Sequence, residues 1–303
     1  MEIKLIENLS NEEYHNGKEY KDYWSSSNIK EYLNSPREAY YQKFVAEHES
    51  KDAFMFGSQL HDYMASKHIK GQPFTWNVFE PPKNNKGEYF GKTSQAYKDA
   101  LKSVNNGIHP KDLEIIKDIW SMILESQYAW YFQKEILKKG TVEESIFING
   151  IHKYKIRKDV DTGNEILDYK TIKKEDFYHY RNNVITSQKY DISAAMYQYF
   201  EHQRTGIWKP FKIIWIMKDP PYDILIQDIS CYCFENIGNN NVIPNSGANV
   251  FLKLKDQHEA CQMANCWPGL ANQFDAYNGV RIDTTMPRFE RGFEQFEINI
   301  DNF

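Results

Sequence analysis

Apolar positions recur at helical spacing through the first part of the chain and then switch to strand spacing. After a polar leader, Ser25-Ser26-Ser27 offers helix N-caps and Ile29, Tyr32 and Leu33 follow at helical intervals. Asn34-Ser35-Pro36 ends that helix and opens another carrying Ala39, Tyr40, Tyr41 and Phe44. Across Phe54–Met64, the side chains of Phe56, Leu60 and Met64 share a helical face, with His61 one position off it and Gly57 on nearly the same side as His61. Residues 71–92 are broken by Gly, Pro and Asn and predict a long loop. A polar helix over about 93–104 and a long amphipathic one over about 112–138 come next. From Thr141 the period becomes two: strands at 141–148, 151–160 and 165–171 form a meander around the turns Asn149-Gly150 and Asp161–Asn164. A helical stretch at 174–204, strands at 211–218 and 223–230, and a helix at 250–266 complete the pattern.

That order predicts an α/β (α+β) fold with a central mixed β-sheet flanked by helices. We expect a single domain over residues 1–303: a mainly helical part over 1–140, a sheet core over 141–230, and a C-terminal helix with an acidic, aromatic tail over 231–303. At 41% hydrophobic residues the chain can fill a core of that size. The 21 Tyr, 18 Phe and 7 Trp support a large core, where most of them are expected, and leave some rings for stacking on bases.

A net charge of -5 excludes a uniformly basic nucleic-acid binder, though not a nuclease with a local basic groove and carboxylates at its centre. No apolar run reaches the roughly 20 residues that cross a bilayer, and the start lacks a signal-peptide pattern, so a cytoplasmic protein without membrane partners is expected. Cys231, Cys233, Cys261 and Cys266 match no standard zinc spacing and are expected to be reduced thiols.

The richest chemistry lies in the hairpin Lys155–Thr171. Pairing symmetric about its turn would set Asp159 opposite Ile166 and Arg157 opposite Asp168, placing Arg157, Asp159, Asp168 and Lys170 on one face and Val160, Leu167 and Tyr169 on the other. Carboxylates on neighbouring strands, with a lysine two residues beyond one of them, suit phosphodiester hydrolysis. The carboxylates hold Mg²⁺ or Mn²⁺, the cation polarises the phosphoryl oxygen, and the lysine orients a water or stabilises developing charge. An isolated Asp-x-Lys carries little weight; the segments around it carry the rest.

Gly57–His61, Lys155–Asp159, Leu167–Thr171 and Tyr190–Tyr197 occur in an order that resembles the PD-(D/E)XK nucleases. More narrowly, the set is similar to the phage- and prophage-encoded RecE-type exonucleases, also called exodeoxyribonuclease VIII. The opening Ser26–Tyr40 and the late Trp267-Pro268-Gly269 extend the likeness over nearly the whole chain. The resemblance implies a restriction-endonuclease-like core, with His61, Asp159 and Asp168 as metal ligands and Lys170 as the catalytic lysine. It implies Glu144 as a carboxylate beside the metal and Tyr197 as a retained helix residue, whereas Ser193 stands where the family helix carries Gln. Ser is too short to bridge a water and a backbone phosphate as Gln does; Gln188 or Gln198 could substitute.

A histidine in the ligand set favours Mn²⁺ alongside Mg²⁺. Arg157 either binds a phosphate or neutralises Asp168, while Lys83, Lys86, Lys92, Lys173 and Lys174 are candidates for the DNA backbone. The resemblance further implies duplex DNA ends as substrate, 5′ to 3′ polarity for recombination, a single-strand annealing protein as partner, and a ring-like homo-oligomer. Two other readings stand beside it. One is a PD-(D/E)XK nuclease of other polarity or single-strand preference, such as those of CRISPR adaptation, with an iron–sulfur cluster on four cysteines. The other is a nuclease-derived DNA-binding or protein-interaction module without catalysis.

Overall fold

The computed structural model describes residues 2–7, 9–46, 52–68, 76, 78–91, 93–102, 107–230 and 247–269. Its centre is a six-stranded sheet in the order β1-β2-β3-β4-β5-β6. Strand β1 (Glu2–Ile6) lies at one edge, formed by the leader that the sequence reading left unstructured. Ile3 and Leu5 alternate there with Glu2 and Lys4, and their contacts with the core make a strand of a polar segment.

Helices α1 (Asn11–Asn16), α2 (Ser26–Lys30) and α3 (Pro36–Phe44) follow. Ser25 caps α2 through a reciprocal bond with Asn28, and Ser35 caps α3 with Pro36 at its first position. Helix α4 (Asp52–Ser66) buries Leu60 and Met64, with Phe56 packed beside them. Beyond it come α5 (Gln95–Lys102) and α6 (Pro110–Glu125). The helix expected over 112–138 is interrupted after Glu125. Ser126 takes an extended conformation there, donating to the Ile123 carbonyl and accepting from the Tyr128 N–H, before α7 (Ala129–Tyr131), a π-turn and α8 (Leu137–Lys139) resume the path. Among the described residues of the expected loop, Lys83 bridges Tyr89 and Val78 bridges Ile108.

The meander is β2 (Thr141–Asn149), β3 (Tyr154–Asp161) and β4 (Ile166–Ile172), each antiparallel to the next. A π-turn, α9 (Arg181–Ser187) and α10 (Tyr190–Thr205) then carry the chain across the sheet to β5 (Phe211–Met217), which pairs parallel to β4. Strand β6 (Ile224–Asp228) closes the far edge, and α11 (Gly247–Ala264) packs on α10. The mixed sheet flanked by helices is therefore as expected. No helix among the described residues is long and apolar enough to cross a membrane.

Two details of the hairpin differ from expectation. The observed partners are Val160 with Leu167 and Asp161 with Ile166, two residues away from the expected register, because the turn is centred one residue later. Thr162 donates its N–H to the Glu165 carbonyl, and Gly163, at φ 89, donates to the Asp161 carboxylate. A two-residue slip preserves side-chain alternation, so Val160, Leu167 and Tyr169 do face the core shared with α4 and α6. The second difference is that β3 and β4 pair only at those two positions and then separate. Past the split, the Tyr169 N–H donates to the Asp159 carboxylate at 2.8 Å instead of to a backbone carbonyl. Ile166 and Ile172, which share a face of β4 with Asp168 and Lys170, pack among residues of α9 and α10, on the side away from α4. The polar residues of the hairpin therefore meet in a gap between strands, not on one flat face.

Candidate metal and catalytic site

His61 projects from α4 into this gap because Leu60 and Met64 lock the helix against the sheet. Its Nε2 lies 2.9 Å from the Tyr169 carbonyl, an oxygen that can only accept, so Nε2 carries the proton. Nδ1 then points at the Asp159 carboxylate, 3.4 Å away. A backbone bond of this kind fixes the tautomer and leaves the other nitrogen to bind a cation.

The third member of the cluster is Glu143, where the resemblance implied Glu144. The pairs Val142–Val160 and Glu144–Lys158 skip Glu143 and Asp159, and Glu143 has φ 54, in the left-handed region that a glutamate seldom adopts. One ligand atom each from His61, Glu143 and Asp159 lies within 4.8 Å of the others. Glu144, one residue on, is buried and ion-paired at 2.9 Å with Lys158. Strand alternation about the Asn149-Gly150 turn was the signal for this assignment: Arg157 pairs with Ser145, so the odd-numbered residues of β2 share a side with Asp159.

Asp168 lies beyond that three-residue cluster, its carboxylate 2.6 Å from the Lys170 ammonium. The Lys170 ammonium sits 5.3 Å from the Tyr190 ring centre. Arg157 does not neutralise Asp168. Its guanidinium meets Glu143 at 2.5 Å, donates to the Leu9 carbonyl at 2.9 Å and lies over the Tyr14 ring, tying the N-terminal segment to β3.

Burial raises Glu143 and the nearby Asp159 charge adds to it, outweighing Arg157 and His61, so that its carboxyl titrates at about 7. Burial opposes ionisation of Asp159, yet His61 overcomes it and holds the carboxyl at about 2. Burial likewise opposes the charged form of His61, but Asp159 outweighs it and lifts the ring to about 9. Asp168 is raised by burial despite Lys170, and Lys170 is held above the ordinary lysine range because Asp168 and Asp159 outweigh its burial. Two clustered carboxylates and an imidazole nitrogen of fixed tautomer are a donor set suited to a divalent cation. His61, Glu143 and Asp159 would hold it, with Asp168 next to them.

The remaining expected residues scatter. Tyr197 is near enough for Asp168 and Asp159 to act on its hydroxyl, and it shares a hydrogen bond with Ser26. Ser193, one turn earlier on α10, bonds back to the Lys189 carbonyl at 3.5 Å. Gln198 is buried and donates to the Lys209 carbonyl, which removes it as a substitute for the missing Gln, while Gln188 is exposed. Lys173 is exposed at the end of β4, and Lys174 is anchored to Asp219 and Pro220. Lys92, Cys231, Cys233 and the acidic tail lie outside the described residues. Cys261 is a buried free thiol and Cys266 an exposed one.

Residues 25–275 match the model of a PDDEXK-like domain of unknown function, DUF3799. The chain belongs to this family. Among solved structures, it is similar to a protein from Eubacterium rectale described as a putative exonuclease, with 20% identity, a TM-score of 0.51, and coverage of 83% of this chain and 88% of that one. At that identity the likeness shows a shared fold. No curated protein matches the sequence. The PDDEXK-like assignment fits the split between β3 and β4, where the Asp168-x-Lys170 strand meets carboxylates of its neighbours.

Proposed function

We propose that this PDDEXK-like protein is a divalent-metal-dependent nuclease that hydrolyses DNA phosphodiester bonds. The observation that carries the reading is the donor group His61, Glu143 and Asp159 set beside the Asp168–Lys170 pair. A bound Mg²⁺ or Mn²⁺ would supply Lewis-acid activation of the phosphoryl oxygen and of the attacking water. Lys170 stays cationic at neutral pH and offers its charge to the phosphate as negative charge develops. Asp168 fixes that ammonium in place. Glu143, raised by burial in the metal-free protein, would give its carboxylate to the cation. Tyr197 remains protonated under all ordinary conditions, so its role is to donate a hydrogen bond or to pack.

In its finer form the reading is an exonuclease of RecE type. It degrades one strand of duplex DNA from an end, 5′ to 3′, as a cytoplasmic homo-oligomer working with a single-strand annealing protein. The ordered motifs support this, together with the description of the Eubacterium rectale neighbour. The test is cleavage of duplex DNA labelled at the 5′ or 3′ end, with Mn²⁺, by the wild type, Asp168→Ala and Lys170→Ala. Loss of label from one end by the wild type alone is the expected result. Equal cleavage by all three proteins would place the activity elsewhere, and cleavage by none would leave a DNA-binding module.

A further inference from the structure

Three elements converge on Lys170, and one of them has no part yet in the site described above. Within β4 the Lys170 ammonium meets the Asp168 carboxylate at 2.6 Å and lies 3.4 Å from the Tyr169 carbonyl. From β5, Trp215 stands beside Lys170 in the parallel register, so both side chains leave the same face of the sheet. From α10 comes Tyr190, the first residue of that helix: the Lys170 ammonium lies over its ring, 5.3 Å from the ring centre.

The Tyr190 ring is braced where it stands. Its centre is 6.0 Å from that of Trp215, and it packs at the margin of the core cluster that contains Trp215, Ile172 and Ile213. Trp215 is itself buried, and its indole N–H donates to the Gln227 side chain at 2.8 Å, which fixes the plane of the indole. Lys189, at φ 57 in the left-handed region, turns the chain into α10 and sets Tyr190 at the head of the helix. A lysine ammonium ends a flexible four-carbon stem, so a carboxylate two residues away restrains it at one point only. An aromatic face under the cation supplies a second restraint and takes up none of its N–H donors.

We infer that Tyr190 is a positioning residue of this site: its ring, braced by Trp215, holds the Lys170 ammonium beside Asp168 with its N–H donors available to the substrate. The inference rests on the nuclease reading for the reaction that Lys170 serves. The competing explanation is packing alone, a ring that fills the margin of this core and that a leucine would replace without loss of activity.

The experiment compares wild type, Tyr190→Phe and Tyr190→Leu by three measurements: melting temperature, steady-state cleavage of duplex DNA in Mn²⁺, and carbon–proton NMR of protein carrying isotope-labelled lysine. The Lys170 signal is identified by its absence in Lys170→Met. In the metal-free wild type and in Tyr190→Phe, the protons beside the Lys170 ammonium should be displaced upfield by the ring, and in Tyr190→Leu they should return to the ordinary lysine position. Tyr190→Leu should lower kcat about tenfold with KM within about twofold of wild type, and Tyr190→Phe, which keeps the ring, should recover most of kcat. A Tyr190→Leu protein that cleaves at the wild-type rate overturns the inference and leaves the nuclease reading standing. Tyr190→Phe as slow as Tyr190→Leu assigns the effect to the hydroxyl and overturns it too. So does slow cleavage by a less stable Tyr190→Leu whose Lys170 signal has not moved, because the loss is then structural. A wild type that fails to cleave, yet shows the ring-dependent displacement, refutes the nuclease reading while upholding the hold of Tyr190 on Lys170; no displacement in the wild type refutes that hold itself.

Discussion

Two charge clusters sit at the same strand pair, and adjacent residues are divided between them. Glu143 and Asp159 join His61, while Glu144 and Lys158 enter a second cluster with Asp161, Glu201, Arg204 and Lys209. In the second cluster three cations, Lys158, Arg204 and Lys209, face three carboxylates, Glu144, Asp161 and Glu201. Lys158 and Glu201 are fully buried, and Glu201 is held at about 2 because Arg204, Lys158 and Lys209 outweigh its burial. In the first cluster Glu143 titrates near 7, and neither Glu143 nor Asp159 is sealed from solvent. One arrangement is complete without a ligand. The other pairs Glu143 with Arg157 and Asp159 with His61, yet the Glu143 carboxyl still titrates at about 7.

The largest effect expected from this contrast is on stability. Lys158→Met leaves Glu144, Asp161 and Glu201 with fewer partners inside the protein, and removing one member of a buried ion pair costs about 3–5 kcal/mol. Chemical denaturation should show that loss, while the protein that remains folded should cleave at the wild-type rate. A Lys158→Met protein of normal stability would mean that the second cluster is not the closed, structural one.

Slightly smaller, and on activity alone, is the effect of emptying the gap. Lys170→Met should slow cleavage about 10²–10³-fold, the usual cost of removing one charge-stabilising donor, with melting little changed. A reading of single-turnover rates at saturating Mn²⁺ checks it; a rate within twofold of wild type would remove Lys170 from the chemistry.

Sequence pattern carried the helical first part, the meander and the mixed sheet because hydrophobic period reports burial directly. Strand alternation set Asp159, Asp168 and Lys170 on one side of the hairpin, and the family resemblance added His61. Three features escaped it, each for a physical reason. Strand β1 is stabilised by pairing with β2, and a partner 140 residues away leaves little local trace. The separation of β3 from β4 depends on the Asp159 carboxylate taking the Tyr169 N–H, a tertiary choice that flat-ladder reasoning does not contain. Glu143 and Glu144 are chemically identical, so only the register of β2 on β3 distinguishes them.

The pair Glu143→Gln and Glu144→Gln sharpens the comparison further, at a somewhat smaller effect. Glu143→Gln keeps the size and removes a charged donor, so Mn²⁺ affinity should fall about 10–100-fold with stability held or improved, since a carboxyl raised by burial is uncomfortable when ionised. Glu144→Gln should do the reverse, lowering stability through Lys158 while leaving Mn²⁺ affinity alone. Calorimetric titration of both, alongside melting curves, reads the two columns at once. Swapped phenotypes would restore Glu144 as the metal carboxylate and refute the division drawn above.

The smallest effect, about tenfold per pH unit, concerns protons that a cation must displace. In the metal-free protein His61 is an imidazolium below about 9, with one N–H on the Tyr169 carbonyl and the other facing Asp159. Binding a cation at Nδ1 requires that second proton to leave. From about pH 7, where Glu143 is half ionised, to about 9, where His61 is, roughly one proton should be released per ion bound, so Mn²⁺ affinity should rise about tenfold for each unit of pH. The sign is reversed for the fold itself: because His61 is raised above its unfolded value of about 6.5, its pairing with Asp159 stabilises the metal-free protein fully below that pH and is lost as pH climbs through about 9. Titrations in buffers of different ionisation enthalpy count the proton directly. Affinity that stays flat from 7 to 9 would show that His61 is not a ligand, and would leave the cation to Glu143 and Asp159 alone.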